Sequence, residues 1–190
     1  HPTGLAFAVD DNAADFDAKI AEIEDLQFDR VGQHYTVEFI AVNCASGDAA
    51  TFAAAAEKAA AKKAVILKAD DAAIIGAALD KIAAEKPLVY AATAANYEAM
   101  TEVAKKYEVP MAVYAEGLEA LEDLVNKIVA LGYKELVLDP GSRQTAKVVQ
   151  DMTQIRRLAV KKTFRPFGYP TIAFTTDEDP MAEAMQAVAY

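Results

Sequence analysis

Short apolar segments alternate with longer amphipathic segments along the whole chain. The short segments lack clean polar alternation, which is typical of strands buried on both faces, as in a parallel sheet covered by helices. The predicted strands are Gly4–Val9, Thr36–Val42, Ala64–Leu67, Pro87–Tyr90, Pro110–Tyr114, Glu135–Leu138 and Thr171–Phe174. The predicted helices are Asp11–Leu26, Asp48–Lys62, Asp71–Glu85, Tyr97–Tyr107, Leu118–Leu131, Gln144–Lys161 and Pro180–Ala189. The pattern therefore predicts seven strand–helix units in series.

Polar residues with short side chains stand where several predicted helices begin. Such side chains accept hydrogen bonds from the free backbone N–H groups of a first helical turn. The residues in these positions are Asp48, Asp71, Asn96 and Asp179. Pro180 suits the first helical position after Asp179, and Gly132 follows Leu131 where a helix is expected to end. The helix boundaries are therefore supported by local chemistry as well as by periodicity.

Strand–helix units in series build either an open doubly wound sheet or a closed barrel. The regular repeat, and the absence of a Gly-x-Gly-x-x-Gly turn after the first strand, favour an α/β fold of the (β/α)8 TIM-type barrel. Such a barrel has eight strands and about 250 residues, whereas this chain supplies seven predicted strands in 190 residues. Open edges would leave buried backbone groups unpaired at about 1–3 kcal/mol each, against a total stability of about 5–15 kcal/mol. We therefore expect residues 1–190 to be a partial barrel within a longer protein, with the eighth strand after Tyr190.

The charge balance narrows the classes of partner. The net charge of −10 argues against nucleic acid, whose phosphates are bound by clustered Lys and Arg. One basic cluster lies in and just after the sixth predicted helix, and a solvated helix face is its favoured interpretation. The cluster comprises Arg156, Arg157, Lys161, Lys162 and Arg165.

Apolar runs and cysteine content bear on the compartment. No apolar run reaches the roughly 18 residues of a membrane span, and no secretory leader is visible. The single cysteine, Cys44, can form neither an intramolecular disulfide nor a metal cluster by itself. Both observations lead us to expect a cytoplasmic protein without membrane contact.

Polar residues just past the strands are the candidates for a site, because the reactive face of such a barrel lies at the carboxyl ends of its strands. They are Asp10, Asp11, Asn43, Cys44, Ser46, Lys68, Asp70, Asp71, Thr93, Asn96, Glu116, Asp139, Ser142, Arg143, Thr175, Thr176 and Asp177. For Asp70, Asp71 and Asn96 a helix cap is the favoured interpretation. Asp139 precedes Pro-Gly and is equally suited to organising that turn and to binding a ligand. Cys44 is better explained as a small buried apolar residue than as a nucleophile.

Common signatures of catalysis are missing from the sequence. It shows no metal-ligand spacing, no Ser-His-Asp arrangement and no Walker-type phosphate loop. The amides, hydroxyls and carboxylates at the strand ends suit hydrogen bonding to a polar cofactor. We therefore predict no catalytic residue and no metal ligand in this segment.

Several stretches of the chain resemble a known family. The most specific are YAATAANYEAM, LVLDPGSRQTAKVVQDMTQIRRLA and FRPFGYPTIAFTTDEDPM, and HPTGLAF, FDRVGQ and EFIAVNCASGDAATFAAA match as well. They resemble the large (gamma) subunit of the corrinoid iron–sulfur protein of the acetyl-CoA decarbonylase/synthase pathway, along essentially the whole chain. The resemblance implies an iron–sulfur segment, a central (β/α)8 barrel and a carboxy-terminal corrinoid-binding domain, of which this sequence matches only the barrel.

The resemblance implies a methyl carrier. In this family a cobalt corrinoid accepts a methyl group from methyltetrahydrofolate or methyltetrahydropterin through a methyltransferase, and passes it to acetyl-CoA synthase. The implied partners are the small (delta) subunit, which completes a heterodimer, the methyltransferase, and acetyl-CoA synthase/CO dehydrogenase. The implied cofactors are a corrinoid in the full complex and a 4Fe-4S cluster in the full-length subunit. The cluster-binding cysteines and the corrinoid domain are absent from this segment.

Six strand-end residues form the predicted binding face for the corrinoid or the partner subunit. They are Asn43, Ser46, Thr93, Asn96, Asp139 and Arg143. Two other hypotheses stay open. One is a pterin-dependent methyltransferase barrel in which Asn43, Asn96 and Asp139 bind the pterin, and the other is a scaffold that only docks other subunits. Whether the segment is itself an enzyme is open as well.

Overall fold

A computed structural model describes residues 3–190, and the chain divides into two compact units. The first unit comprises the residues up to Ala91 together with Glu102–Pro110, and the second comprises Ala92–Thr101 and Met111–Tyr190. The strands are β1 (Ala6–Asp10), β2 (Gln27–Arg30), β3 (Gln33–Thr36), β4 (Phe39–Asn43), β5 (Ala64–Lys68), β6 (Leu88–Ala92), β7 (Met111–Tyr114) and β8 (Leu136–Asp139). The α-helices are α1 (Phe16–Asp25), α2 (Ala49–Ala60), α3 (Ala72–Ile82), α4 (Tyr97–Tyr107), α5 (Leu118–Ala130), α6 (Thr145–Lys161) and α7 (Pro180–Ala189).

The first unit is built on a parallel sheet with the strand order β1–β4–β5–β6. Each strand lies beside the one before it in this series, and a helix connects each pair. The register sets Asp10 opposite Asn43, and Asn43 opposite Lys68, so the carboxyl ends of three strands are level. The apolar residues of β4, β5 and β6 are mostly buried, and Ile40 and Leu67 have no solvent exposure, whereas β1 at the side of this sheet leaves Phe7 46% exposed. The sheet therefore brings the residues that follow its strands to one edge.

The second unit has the same construction on a smaller scale. β7 and β8 pair in parallel, with Tyr114 opposite Asp139. The connecting helix α5 packs against β7 and buries an apolar stripe consisting of Leu121, Leu124, Val125 and Ile128. Helix α6 follows β8 and buries Val148 and Ile155 together with one carboxylate, Asp151.

The α/β class predicted from the sequence is confirmed. Within residues 3–190, six strands with parallel partners alternate with helices, and α4 and α7 have the predicted bounds. The side chains of Asp48, Asp71 and Asp179 cap α2, α3 and α7 by accepting hydrogen bonds from backbone N–H groups of the first turn. Closure of the barrel by an eighth strand stays a prediction, as does the assignment of residues 1–190 to one partial barrel.

The prediction of a seventh strand is wrong for the segment Thr171–Phe174. It forms a single parallel bridge, in which the Leu138 N–H donates to the Pro170 oxygen at 2.7 Å and the Ile172 N–H donates to the Leu138 oxygen at 2.9 Å. The next rung of a parallel ladder would need an N–H from the second residue after Leu138. That residue is Pro140, which has none, so the pairing stops after one bridge.

A β-hairpin was missed between the first helix and the second predicted strand. β2 and β3 pair antiparallel around a two-residue turn in which Val31 and Gly32 have φ of 50° and 74°. Valine rarely occupies this left-handed region, so the sequence lacked the Asn-Gly signal that marks such turns. As a result the prediction Thr36–Val42 is wrong at its start, because Thr36 ends β3 and β4 begins at Phe39.

Candidate functional site

A buried carboxylate organises the strand ends of the first unit. Asp11, which is 7% exposed, follows β1 directly. Its Oδ1 accepts hydrogen bonds from the Ala45 and Ser46 backbone N–H groups at 3.0 and 2.9 Å, and its Oδ2 accepts from Ser46 Oγ at 2.5 Å. We name Asp10, Asp11, Asn43 and Ser46 the Asp11 cluster. One carboxylate thus holds the loop after β4 to the end of β1.

Asn43 carries an unsatisfied acceptor in this cluster. Its Nδ2 donates to Asp10 Oδ1 at 3.0 Å, which fixes the amide orientation because a carboxylate can only accept. Its Oδ1 is shielded from solvent and has no hydrogen-bond partner among residues 3–190. A buried acceptor without a donor costs about 1–3 kcal/mol. The amide oxygen is therefore suited to receive an N–H or O–H from a ligand.

Cys44, next to Asn43, is held as a neutral thiol. Burial raises the pKa of Cys44 above its ordinary value, and the nearby Asp11 charge acts in the same direction. A hydrogen bond with the Gly47 backbone opposes these two effects. Because thiolates are the nucleophilic form, a raised pKa argues against a nucleophilic Cys44, but the predicted burial is incomplete, since Cys44 is half-buried.

A second buried carboxylate lies at the end of β8. Asp139 has no solvent exposure, and it accepts from the Gly141 N–H at 2.9 Å. Arg143 closes a two-point ion pair with it, Nη1 to Oδ1 at 3.0 Å and Nη2 to Oδ2 at 2.9 Å. The position after Pro140 requires glycine, because Gly141 has a φ of +75° and a Cβ there would lie 3.1 Å from the Ala115 oxygen. Asp139 therefore organises the turn, and its contact with a ligand stays a prediction.

The Arg143 guanidinium lies over two aromatic rings. Its centre is 5.7 Å from the centroid of Tyr114 and 4.7 Å from that of Phe174. Burial raises the pKa of Tyr114, and the Glu116 carboxylate raises it further, so the ring stays a neutral phenol. The Arg143 side chain is 33% exposed, whereas that of Asp139 is 1% exposed. We name Tyr114, Asp139, Gly141, Arg143 and Phe174 the Asp139 cluster, and Arg143 is the charged member that a ligand can reach.

A third carboxylate fixes the loop of the Asp139 cluster to α6. Asp151, 2% exposed, accepts from Ser142 Oγ and from Lys147 Nζ, the latter at 2.6 Å. The sequence does carry a signal for this residue. Asp151 is an acidic residue on the buried face of an amphipathic helix, spaced three and four positions from the apolar residues Val148 and Ile155. The loop from Pro140 to Gln144 is therefore held by two buried carboxylates, Asp139 through Gly141 and Arg143 and Asp151 through Ser142.

The remaining predicted pair lies before α4. The Asn96 Oδ1 accepts from the Thr93 backbone N–H at 2.7 Å and from Thr93 Oγ1 at 3.0 Å. Thr93 and Asn96 thus bond to one another across a tight turn.

The six predicted site residues fall into three local groups. Asn43 and Ser46 are joined through Asp10 and Asp11, Thr93 bonds to Asn96, and Asp139 pairs with Arg143. Two of these groups also contain residues that the prediction of the binding face did not include. These residues are Asp11, Tyr114, Asp151 and Phe174. The aromatic pair carried no sequence signal, because its contact with Arg143 depends on tertiary packing.

Neither a metal-binding cluster nor a membrane-spanning helix is present in the described part of the chain. Between residues 3 and 190, no group of three or more His, Cys, Asp or Glu side chains is arranged to hold a metal ion. No helix in the same range combines the length and apolar character needed to cross a membrane.

Parallel strands, intervening helices and polar strand ends define an α/β protein that carries its candidate sites on the loops after its strands. The solved structure of Mycobacterium tuberculosis Rv1207 is similar, with a TM-score of 0.58 over 97% of this chain and 79% of that one. The two sequences are 16% identical, so this likeness bears on the fold alone.

The family follows from the sequence comparison. The model of the CO dehydrogenase/acetyl-CoA synthase delta subunit family matches residues 1–190, and the chain belongs to this family. It is 53% identical, over its whole length, to the corrinoid/iron-sulfur protein large subunit of Moorella thermoacetica, of which it covers 44%. It is 32% identical over 177 residues to the acetyl-CoA decarbonylase/synthase complex subunit gamma of Methanothermobacter thermautotrophicus, covering 90% of this chain and 39% of that protein. The resemblance found in the sequence is confirmed, and the chain spans less than half the length of these relatives.

Proposed function

We propose that this chain is the barrel segment of a corrinoid iron–sulfur subunit that carries a methyl group from methyltetrahydrofolate or methyltetrahydropterin to acetyl-CoA synthase. The observation that carries the proposal is 53% identity, over the whole chain, to the Moorella thermoacetica corrinoid/iron-sulfur protein large subunit. The proposed partners are a small (delta) subunit, a methyltransferase and acetyl-CoA synthase/CO dehydrogenase, in the cytoplasm.

The residues present fit the periphery of a corrinoid better than they fit an iron–sulfur cluster. One cysteine cannot ligate a 4Fe-4S cluster, so that cluster would bind elsewhere in a full-length subunit. The unsatisfied Asn43 Oδ1, by contrast, can accept a hydrogen bond from an amide, and amides line the rim of a corrin. When bound, the corrinoid supplies the nucleophilic cobalt chemistry of methyl transfer. Asn43 and Ser46 of the first unit are proposed to contact the corrinoid rim or the partner subunit, and the same role is proposed separately for Thr93, Asn96, Asp139 and Arg143 of the second unit.

The buried carboxylates support a binding role over acid–base catalysis. Asp11 uses both oxygens to hold the loop after β4, and Asp139 uses both to hold Gly141 and Arg143. A general base must instead lie within hydrogen-bond reach of the proton that it abstracts from the substrate. A methyl carrier needs orientation of its cofactor and no proton transfer at these positions.

Substitution of Asn43 tests the proposal in the full-length protein with its small subunit. Asn43→Ala removes the acceptor, and we expect corrinoid occupancy or the methyl-transfer rate to fall by about tenfold, the equivalent of one lost hydrogen bond. Occupancy is measured from the visible absorbance of the corrinoid per protein. Asn126→Ala, an exposed asparagine on α5, is the matched control.

Unchanged occupancy and transfer in a folded Asn43→Ala protein would contradict a role of the Asp11 cluster at the corrinoid. Calorimetry with methyltetrahydrofolate adds a second arm. Binding of methyltetrahydrofolate directly to this chain, weakened by Asn43→Ala, would favour a pterin-dependent methyltransferase over a carrier.

A further inference from the structure

A cationic segment interrupts an otherwise acidic chain. Residues 152–176 contain five of the 19 Lys and Arg side chains and none of the 29 Asp and Glu side chains. The five are Arg156, Arg157, Lys161, Lys162 and Arg165, and all are exposed. Within residues 3–190 none of them takes part in an ion pair, a ring contact or a side-chain hydrogen bond. The chain therefore carries a local excess of positive charge that it does not neutralise itself.

The solvent side of α6 combines this charge with apolar residues. Val149, Thr153, Arg156 and Val160 follow one another at intervals of four, three and four positions, which places them on one helix face. Val149 is 42% exposed and Val160 is 61% exposed. Arg157 and Lys161 flank this row. We name Val149, Arg156, Arg157, Val160 and Lys161 the α6 face.

Helix stability does not account for the α6 face. Exposed valine is a weaker helix former than alanine and gains nothing from burial there. Arg157 and Lys161 are four positions apart, so their like charges repel. The favourable interaction of cations with a helix carboxyl end falls off within the last turn, which explains Lys161 but not Arg156. The opposite side of α6, with Val148 and Ile155, already holds the helix in the second unit.

An apolar centre with arginine beside it is the usual composition of a protein interface. A membrane-binding helix would carry larger apolar residues such as Trp, Phe or Leu on its apolar face, and the α6 face has two valines. A nucleic acid would be repelled by a chain with a net charge of −10. We propose that the α6 face is the docking surface for an acidic patch on another protein subunit. The choice of subunits to test rests on the proposed function.

Charge reversal in the full-length protein tests this inference. The probes are the purified small subunit, methyltransferase and acetyl-CoA synthase, each titrated by sedimentation velocity against the parent and against Arg156→Glu/Arg157→Glu. We expect the charge reversal to raise the Kd for one probe at least about tenfold. For the parent protein, the same Kd should rise as the salt concentration increases from about 0.05 to 0.3 M, because salt screens the charges. Val160→Ser should weaken the same complex about two- to threefold at either salt concentration, because it removes apolar contact only.

Matched controls separate docking from folding and from overall charge. Lys127→Glu/Lys134→Glu changes the net charge equally at exposed positions on and after α5, and should alter the Kd by less than about twofold. Arg156→Gln/Arg157→Gln removes the charge without reversing it, and should show an intermediate loss if the reversed variant folds poorly.

Three outcomes would overturn the inference. The first is a complex whose Kd the reversed variant leaves unchanged, and the second is a parent that binds none of the probes. The third is binding to phosphatidylglycerol vesicles or duplex DNA that requires Arg156 and Arg157. The corrinoid absorbance of the same preparations tests the proposed function separately. A variant that keeps its corrinoid but no longer binds its partner has lost docking and has kept cofactor binding.

Discussion

The Asp11 and Asp139 clusters place a buried aspartate at equivalent points, directly after or at the end of a parallel strand, yet they neutralise it differently. Asp11 is surrounded by two backbone N–H groups and a hydroxyl, with no cation among these partners. Asp139 has a guanidinium bonded to both oxygens. The first arrangement has no cation partner, and its cluster includes the Asn43 amide oxygen that lacks a donor, whereas the second pairs a carboxylate with a guanidinium that lies over two rings. Position on the sheet edge therefore does not decide what a strand-end carboxylate can recognise.

Removing a side-chain partner of each buried aspartate should give the largest difference in stability between the two clusters. Arg143→Met removes the guanidinium that pairs with both oxygens of the buried Asp139 carboxylate, and we expect the free energy of unfolding to fall by about 3 kcal/mol. Ser46→Ala leaves Asp11 with its two backbone donors, and should cost about 1 kcal/mol. Urea unfolding of the three proteins measures both. Equal losses would show that the two carboxylates are stabilised alike, and Arg157→Met, exposed and unpaired within residues 3–190, should change stability by less than about 0.5 kcal/mol.

The loop glycines sharpen the same comparison. Gly47 and Gly141 both have left-handed φ, of 68° and 75°. A Cβ at Gly47 would meet nothing within 4 Å, while one at Gly141 would lie 3.1 Å from both the Ala115 oxygen and Glu116 Cα. We expect Gly47→Ala to cost about 1 kcal/mol and Gly141→Ala about 2 kcal/mol, because only the second adds a steric conflict to the backbone strain. Thermal unfolding of both variants checks the difference, and a larger loss for Gly47→Ala would contradict the loop geometry.

The smallest expected effect concerns pH and the cap that follows the Asp11 cluster. Hydrogen bonds from the Thr51 hydroxyl and from the Thr51 backbone N–H lower the pKa of Asp48 below its ordinary value. A lowered folded-state pKa contributes stability above the unfolded pKa, and that contribution is lost as the pH falls through the folded value. Asp48→Asn keeps the cap but not the charge, so its Tm should lie slightly below the parent at neutral pH and converge with it below about pH 4. Asp123→Asn, exposed on α5, should show no such convergence, and a constant Tm gap for Asp48→Asn would contradict the assignment.

Much of the fold follows from local chemistry, and the exceptions have physical causes. Helix α7 was predicted with its bounds because Asp179 and Pro180 mark its first turn. The hairpin of β2 and β3 was missed because valine occupies a turn position that normally signals itself with asparagine or glycine. The seventh strand shortened to a bridge because a neighbour in space, Pro140, lacks a donor. Sequence reasoning found elements whose signals lie within them, and failed where a turn carries an unusual residue or where another segment decided the outcome.

The same distinction applies to the candidate site, where local signals could be interpreted and contacts between distant residues could not. Strand-end position selected Asn43, Asp139 and Arg143 as candidates, and their role at a ligand stays a prediction, whereas the turn indicated by the Pro-Gly step after Asp139 is present. Position could not show that Arg143 would take both oxygens of Asp139, nor that Tyr114 and Phe174 would flank it. Those contacts depend on side chains distant in sequence, and an alternation of apolar and polar residues carries no information about them.

Pro140 can accept a hydrogen bond through its carbonyl oxygen but has no N–H to donate. Its carbonyl still accepts from the Gly117 N–H at 3.0 Å, so the chain after β8 stays attached to the loop after β7. Toward Ile172 it offers no N–H, so the later segment departs from the strand there, and the Thr176 hydroxyl donates to the backbone carbonyl oxygen of Arg143 at 3.3 Å. Because pairing with β8 ends at this imino acid, the segment that follows leaves the strand, and it carries the Phe174 ring to 4.7 Å from the Arg143 guanidinium.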